Sequence, residues 1–311
     1  MNGNLFHCIL IAIVLIYGLL WSRPRDGVRR ANTFLRYILM LVASTLVLAP
    51  FLWLVAATFK DAEVLNEYVF FPPLAKWSGE TLNFDNLRVL FEPRQTSAGT
   101  FTFWLFIFNS LFLACTQTGL QLFTSSMAGF ALAKYRFRGA GIVLGFILGS
   151  MMIPPILLLA PVYMIIVKVG WIDSFLALLV PTAVSGYGIF LFRQAMLNVP
   201  KELLEAARVE GASELRLYFS VALPLVRPMS GAFCLVAFLA SWNNFIAPNV
   251  FLHSTHKLTL PVILQQYVGD YSSQYGVFLA GTLLAILPPV ILFFLLQREF
   301  ISGLTAGSVK G

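Results

Sequence analysis

The chain has 311 residues, 59% of them hydrophobic and 11% charged, with a formal net charge of +7 and a mean hydropathy of +0.82. Soluble domains carry about a quarter of their residues as charges, so this composition excludes an ordinary aqueous globule and implies an integral membrane protein. The basic excess sits between apolar stretches, where it sets membrane orientation, and it calls for no nucleic-acid partner.

A bilayer core of about 30 Å needs roughly 20 apolar residues per helical crossing. Seven stretches meet that need, over residues 5–21, 37–57, 103–123, 141–166, 176–192, 229–251 and 277–296. They are continuous apolar runs without the alternation of barrel strands, so the predicted fold is an all-α, polytopic bundle. The first stretch lacks a basic n-region and a small-x-small cleavage site, which reads as a retained extra helix rather than a signal peptide.

Residues 58–102 form the largest predicted external segment. Phe71-Pro72-Pro73 and Ser78-Gly79 mark turns there, and Asp85-Asn86-Leu87 starts a short helix. The third crossing continues as helix through Ala131 and Lys134. Bends are expected where proline removes a backbone donor: at Pro154, Pro155 and Pro161 in the fourth crossing and at Pro288-Pro289 in the last. Ser185-Gly186-Tyr187-Gly188 marks another bend in the fifth.

Arg23, Arg25, Arg29, Arg30, Arg36, Lys134, Arg136, Arg138, Arg193, Lys201, Arg208, Arg216, Arg227, Arg298 and Lys310 all fall on one side if the crossings alternate. The other side holds Lys60, Lys76, Arg88, Arg94, Lys168 and Lys257 among acidic residues. The richer side is cytosolic. This places the N-terminus outside, and the C-terminus and the loop over residues 193–227 in the cytosol.

Inside the crossings the polar groups are neutral, with Asn109, Gln117, Gln121, Asn243 and Asn244 as the candidates. Amides suit an uncharged polyol, but they also serve as hydrogen-bonding glue between helices, typically about 1 kcal/mol each. Asn243 and Asn244 are candidates for a substrate path. Cys8, Cys115 and Cys234, like His7, His253 and His256, have no metal-ligand spacing, so no metal is expected. An ion-coupled secondary transporter of a small neutral solute is the alternative reading. It calls for a protonatable residue within the crossings, and the sequence offers none. No nucleophile–base pair suggests an intramembrane enzyme.

The loop over 193–227 is longer than a turn requires. Pro200 is placed to begin a short helix at its first position, with Leu203, Leu204 and Ala207 as its apolar side. Gly211 breaks that helix, and a second one follows through Leu215, Tyr218 and Phe219, ending before Pro224. The carboxylate of Glu205 stands beside two small residues that let a partner approach closely, and it can meet an arginine in charge-assisted hydrogen bonds.

Glu205, Ala206, Ala207, Gly211, Leu223 and Pro224 stand in a spacing that resembles the EAA loop of ABC importer permeases, with Val221 in place of the more usual isoleucine. The end of the chain, Gln297-Arg298 and then Gly303, Leu304, Thr305, Ala306, Gly307, Ser308, Val309, Lys310 and Gly311, looks like the tail of the maltose-type carbohydrate permeases. The resemblance covers about residues 36–311 and leaves 1–35 as an added helix with a basic linker.

It implies a type I permease fold of six core helices in the bacterial inner membrane, working as half of a heterodimer with a second permease subunit. It also implies a dimeric ATPase subunit, which alone would hold ATP and magnesium, and an extracellular or periplasmic solute-binding protein delivering a sugar. Glu205 would contact the ATPase, and the tail would run along the ATPase dimer interface. The outer segment around Gln265 and Gln266 would reach the binding protein. In the maltose system the sugar contacts lie mainly in the partner permease. No GxxxxGK[S/T] phosphate loop occurs in this chain, so it has no such nucleotide site of its own.

Overall fold

The computed structural model describes residues 16, 27–61, 63–65, 67–79, 81–96, 99–269 and 274–305. They fall into two compact units divided between Asn83 and Phe84. The predicted crossing over 5–21 lies outside the described residues apart from Ile16.

The first unit is built on α1 (Gly27–Thr58), which contains the predicted crossing over 37–57. Leu46 and Val47 in its middle are largely exposed, as suits contact with lipid chains. The chain then folds back on itself. The Asn83 N–H donates to the Phe59 carbonyl (2.9 Å), and the Trp77 indole N–H donates to the Pro72 carbonyl (2.8 Å). The side chain of Lys60 is fully buried, and its ammonium donates to the carbonyls of Tyr68 and Val69.

The second unit opens with α2 (Asp85–Phe91), starting where Asp85 predicts it, and a small antiparallel ribbon of β1 (Arg94–Thr96) and β2 (Gly99–Phe101). Next comes α3 (Phe103–Lys134), unbroken to Lys134 as expected. The fourth crossing is a pair, α4 (Ala140–Met151) and α5 (Leu159–Val169), bent by 94° around Pro154 and Pro155.

Predicted as one helix, the fifth crossing is instead two pieces, α6 (Leu176–Leu179) and α7 (Gly186–Leu197). Pro181 has no N–H to continue the first, and Ser185 caps the second by accepting the Gly188 N–H (3.1 Å). The sixth also divides, into α11 (Arg227–Trp242) and α12 (Ile246–Phe251). Between α7 and α11 lie the short elements of the 193–227 loop: α8 (Lys201–Val209), α9 (Glu214–Arg216) and α10 (Leu223–Leu225). The chain ends in α13 (Leu260–Gly269) and α14 (Tyr275–Thr305). Among the described residues three helices are individually long and apolar enough to cross a membrane, and up to five crossings result if each bent pair counts once.

Broken helices leave carbonyls without partners, a costly condition in a lipid environment. In this unit α3 supplies the missing donors from a stripe of polar side chains. Asn109 donates to the carbonyls of His256 and Leu258 (2.9 and 3.0 Å), Gln121 to Thr182 (2.7 Å), Thr124 to Ala183 (2.8 Å) and Ser125 to Ser185 (3.2 Å). Ser110 accepts the Leu260 N–H (2.7 Å). A similar repair occurs in α14. Pro289 cannot donate to the carbonyl of Ala285, and the indole N–H of Trp242 does so at 3.1 Å.

Two apolar cores flank this stripe. One gathers Phe103, Phe106, Ile166, Trp242, Phe251 and Tyr267, and the other lies under the 193–227 loop around Phe130, Phe192, Met196 and Phe233. Gly188 sets how closely α7 can approach, because a Cβ there would stand 2.6 Å from Ser125 Oγ and 2.7 Å from the Phe233 ring. Away from the cores, Asp173 clamps two loops. Its carboxylate accepts the N–H groups of His253 and Ser254 (2.9 Å each), the Ser254 hydroxyl (2.5 Å) and the Lys257 ammonium (3.0 Å). Partial burial opposes its charge, but the bonds from Ser254, His253 and Lys257 outweigh that and hold its carboxyl well below the usual carboxylate range.

Gly188→Ala is expected to cost about 1–3 kcal/mol by overpacking, read as a lower melting temperature of the purified protein in detergent. Asp173→Asn should cost about 2 kcal/mol through lost charge-assisted bonds. Because the folded-state pKa is depressed, the clamp is fully present above the unfolded value of about 3.9. The gap in melting temperature between wild type and Asp173→Asn should therefore hold constant from pH 8 to about pH 5 and close only as pH falls through the folded value.

Candidate functional site: a helix, a turn and a second helix fastened to the end of α3

Pro200 caps α8 from outside, with backbone angles of −59° and 135°, so the helix begins one residue later than predicted, at Lys201. The prediction placed Leu203, Leu204 and Ala207 on one apolar side, and the structure divides them. Leu204 is 2% exposed and packs with Ala207 onto the core beneath. Leu203 is 46% exposed and Val209 89%. With the exposed Ala206, they form an outward apolar strip at helical spacing. Glu205 is exposed on the same short helix, and its carboxylate has no partner among the described residues.

The turn follows from one residue. Gly211 adopts φ +85°, which closes the helix with its own N–H on the Arg208 carbonyl (2.9 Å) and the Ala212 N–H on that of Ala207 (3.0 Å). Ser213 then caps α9, accepting the Arg216 N–H at 3.4 Å.

A second helix ending before Pro224 was the expectation, and the chain does otherwise. It runs from α9 through a π-helical stretch, Leu217–Ala222, and on through Pro224 to Leu225. A proline ring crowds the carbonyl one turn back, and the wider i→i+5 turn just before Pro224 makes room for it. Leu217, Tyr218 and Ala222 point into the core, while Leu215 and Phe219 stay largely exposed.

This assembly is tied to the end of α3 by polar bonds that the sequence did not reveal. The hydroxyls of Tyr218 and Ser126, both buried, lie 2.6 Å apart. The Lys134 ammonium donates to the Val199 carbonyl (2.6 Å). Arg208 grips Glu214 with two bonds of 3.0 and 3.2 Å, and the Tyr135 hydroxyl donates to the same carboxylate. The guanidinium of Arg208, then the Tyr135 hydroxyl, hold the Glu214 carboxyl below its ordinary value. Each of these pairs spans a long stretch of sequence, or a turn whose geometry depends on Gly211, so periodicity alone could not flag them.

The remaining candidates are dispersed. Leu223 is half-buried and Pro224 exposed at the close of the loop. Gly303, Leu304 and Thr305 belong to the last turn of α14, and Ala306 and Gly307 lie outside the described residues. Gln265 and Gln266 are exposed on α13. Asn243 is exposed and bonds only back to the Leu239 carbonyl (3.0 Å), whereas Asn244 faces a cavity between α3, the α4–α5 bend and α12. Asn109 and Gln121 bind loop backbone, as glue within this chain rather than as ligand contacts.

Comparison with known proteins gives a consistent picture. Residues 121–301 match the family of binding-protein-dependent transport system inner membrane components. The chain is 38% identical over 232 residues to the arabinooligosaccharides transport system permease protein AraQ of Bacillus subtilis (strain 168), covering 75% of this chain and 80% of that protein. It is 31% identical to the lactose transport system permease protein LacG of Rhizobium radiobacter, over 91% of this chain and 98% of that one. In fold it is similar to a chain of a bacterial ABC transporter involved in the import of the acidic polysaccharide alginate, with a TM-score of 0.72 at 19% identity, over 90% of this chain and 99% of that one.

Because a Cβ at position 211 would meet nothing within 4 Å, the cost of substitution there is conformational. Gly211→Val should lose about 1–2 kcal/mol from the left-handed backbone alone, while Gly211→Asn should lose less. Hydrogen exchange of the α8 amides, faster in the valine variant than in the asparagine one, is the measurement.

Proposed function

The chain belongs to the family of inner membrane components of binding-protein-dependent transport systems, and on that footing we propose that it is the sugar-importing permease subunit that receives its driving force through α8. It is a transport component of an ABC importer. The finer reading is ours. A separate ATPase dimer, which holds the ATP and magnesium, docks on the outward face of α8, with Glu205 meeting an arginine of that partner. A second permease subunit completes a heterodimer. The C-terminus and the 193–227 loop face the cytosol and the N-terminus faces outward.

One observation carries this reading. Glu205 is an exposed carboxylate without a partner among the described residues, set beside the exposed apolar strip of Leu203, Ala206 and Val209. A solvated helix serving only as a connection has no need of an apolar outer strip, whereas a cleft on a partner protein does. The relatives that carry arabinooligosaccharides and lactose support a neutral sugar as cargo. The exposed Gln265 and Gln266 are available to a binding protein on the other side, and the last turn of α14 with the residues beyond it would extend toward the ATPase.

Glu205→Ala should leave the protein inserted and folded while ATP-driven sugar uptake falls at least tenfold, through weaker ATPase docking or hydrolysis no longer coupled to transport. Co-purification of the ATPase and uptake into proteoliposomes are the two measurements, and unaltered uptake would remove Glu205 from the coupling role.

A further inference from the structure

A half-open cavity of about 530 Å³ lies within the second unit, bounded by α3, the α4–α5 bend, the break between α6 and α7, and the segment from Ser241 to Phe251. Small-molecule sites occupy roughly 300–1,000 Å³. Its position follows from the broken helices: Pro155 and Pro181 stand in its wall, and so does Asn244, where α11 gives way to α12.

The polar groups of the wall are neutral, and several are unspent. Gln117 accepts the Ser241 hydroxyl through Oε1 (2.9 Å), which leaves its NH₂ without a partner among the described residues. Asn244 accepts the Ala247 N–H through Oδ1 (3.3 Å), which leaves its NH₂ likewise. Thr259, 4% exposed, has a hydroxyl with no hydrogen-bond partner among the described residues. Rotation about its Cα–Cβ bond exchanges hydroxyl and methyl at the wall. No lysine, arginine, histidine, aspartate or glutamate lines the cavity. Ser110 and Thr182 also stand in the wall with their hydroxyls bonded to backbone, and the rest is aliphatic, with Phe251 as the aromatic member.

An orphaned buried hydroxyl costs about 1–3 kcal/mol. Thr118 on α3 carries another buried hydroxyl without a partner among the described residues, but three unspent groups gather around this one cavity. We propose that this cavity is a binding site for an uncharged, hydroxylated solute in transit. Gln117 and Asn244 donate to its hydroxyl oxygens, Thr259 exchanges a hydrogen bond with it, and the aliphatic wall covers its C–H faces. The assignment rests on the importer reading and adds to it that this subunit itself holds cargo and selects against anions, since a carboxylate or phosphate would enter without a counter-charge.

The test uses the complete importer in proteoliposomes, reconstituted with its second permease, ATPase and binding protein. Labelled arabinotriose, lactose and maltotriose serve as neutral probes, and glycerol 3-phosphate as the anion. Wild type should take up at least one neutral probe in an ATP-dependent manner. Gln117→Leu and Asn244→Ala should each lower uptake of that probe about five- to thirtyfold, the worth of a lost hydrogen bond to a ligand.

Thr259→Val separates binding from folding. It removes a hydroxyl that bonds nothing among the described residues, so its melting temperature should equal or exceed that of wild type while uptake falls. Full neutral uptake in a Gln117→Leu, Asn244→Ala double variant overturns the site. A fall in melting temperature for Thr259→Val overturns the part given to that hydroxyl. Absence of ATP-driven uptake of every neutral probe by wild type, or uptake of the anion alone, overturns the sugar-importer reading instead.

Discussion

A helix broken inside an apolar bundle must return its freed carbonyls to some donor, and the second unit meets that constraint largely from one element. The stripe on α3 that includes Asn109, Ser110, Gln121, Thr124 and Ser125 makes long-range bonds to two separate stretches of backbone, over 182–185 and 256–260. Because lipid offers no alternative partners, those bonds are obligatory rather than decorative. They explain how Pro181 can interrupt the fifth crossing without leaving its freed carbonyls unpaired, and they rest on an α3 that runs unbroken for its full length. The bond from Trp242 to the Ala285 carbonyl extends the same logic to the prolines of α14.

The same element carries the loop. Below its polar stripe, the end of α3 carries Ser126, Phe130 and Lys134, with Tyr135 just after it, and each of these touches the 193–227 segment or the core beneath it. A displacement applied to α8 therefore reaches Leu204, Leu217 and Tyr218, and through them the body of α3, by direct packing. Gly188 holds α7 against Ser125 and Phe233, so α3, α7 and α11 meet with little room to slide. Close-packed interfaces of this kind deform as units rather than continuously. Compliance belongs instead to the unwound stretches around Pro154, Val180–Ser185 and Asn243–Phe245.

Much of this was legible in the sequence because the signals were local. Continuous apolar runs gave the crossings, Asp85 the start of α2, Gly211 the left-handed turn, and Pro154-Pro155 the bend of the fourth crossing, whereas α14 runs on as one helix through Pro288 and Pro289, where a bend was expected. The errors were local too. Pro200 lies outside α8 rather than at its first position, and the helix passes through Pro224 because a wider turn precedes it. Leu203 faces outward although its neighbour Leu204 does not, since a three-turn helix offers too few residues to fix its phase. What stayed hidden was the pairing of residues distant in the chain. Asp173 with Ser254 and Lys257, Ser126 with Tyr218, and Gln121 with Thr182 are ordinary residues until the fold brings them together. The family resemblance named Glu205 and its neighbours, but it said nothing of α3 as the common support.

That support sharpens the meaning of the polar groups left unspent. In a chain where unwound backbone finds side-chain donors and Lys60 spends its ammonium on two carbonyls, an unpaired polar group in the second unit is a departure from the prevailing economy. Two sets of such groups bear on transport. One is the exposed Glu205 on α8, and the other is the set of Gln117, Asn244 and Thr259 around the cavity. Both are positioned by α3: Gln117 is a member of that helix, between Ser110 and Gln121 of its polar stripe, and α8 rests on its end. If α3 moves as one body, a partner pressing on α8 and a solute held at Gln117 feel the same displacement. A cargo bound in the cavity would then be coupled to the loop by the rigidity of a single helix, without any longer chain of contacts between them.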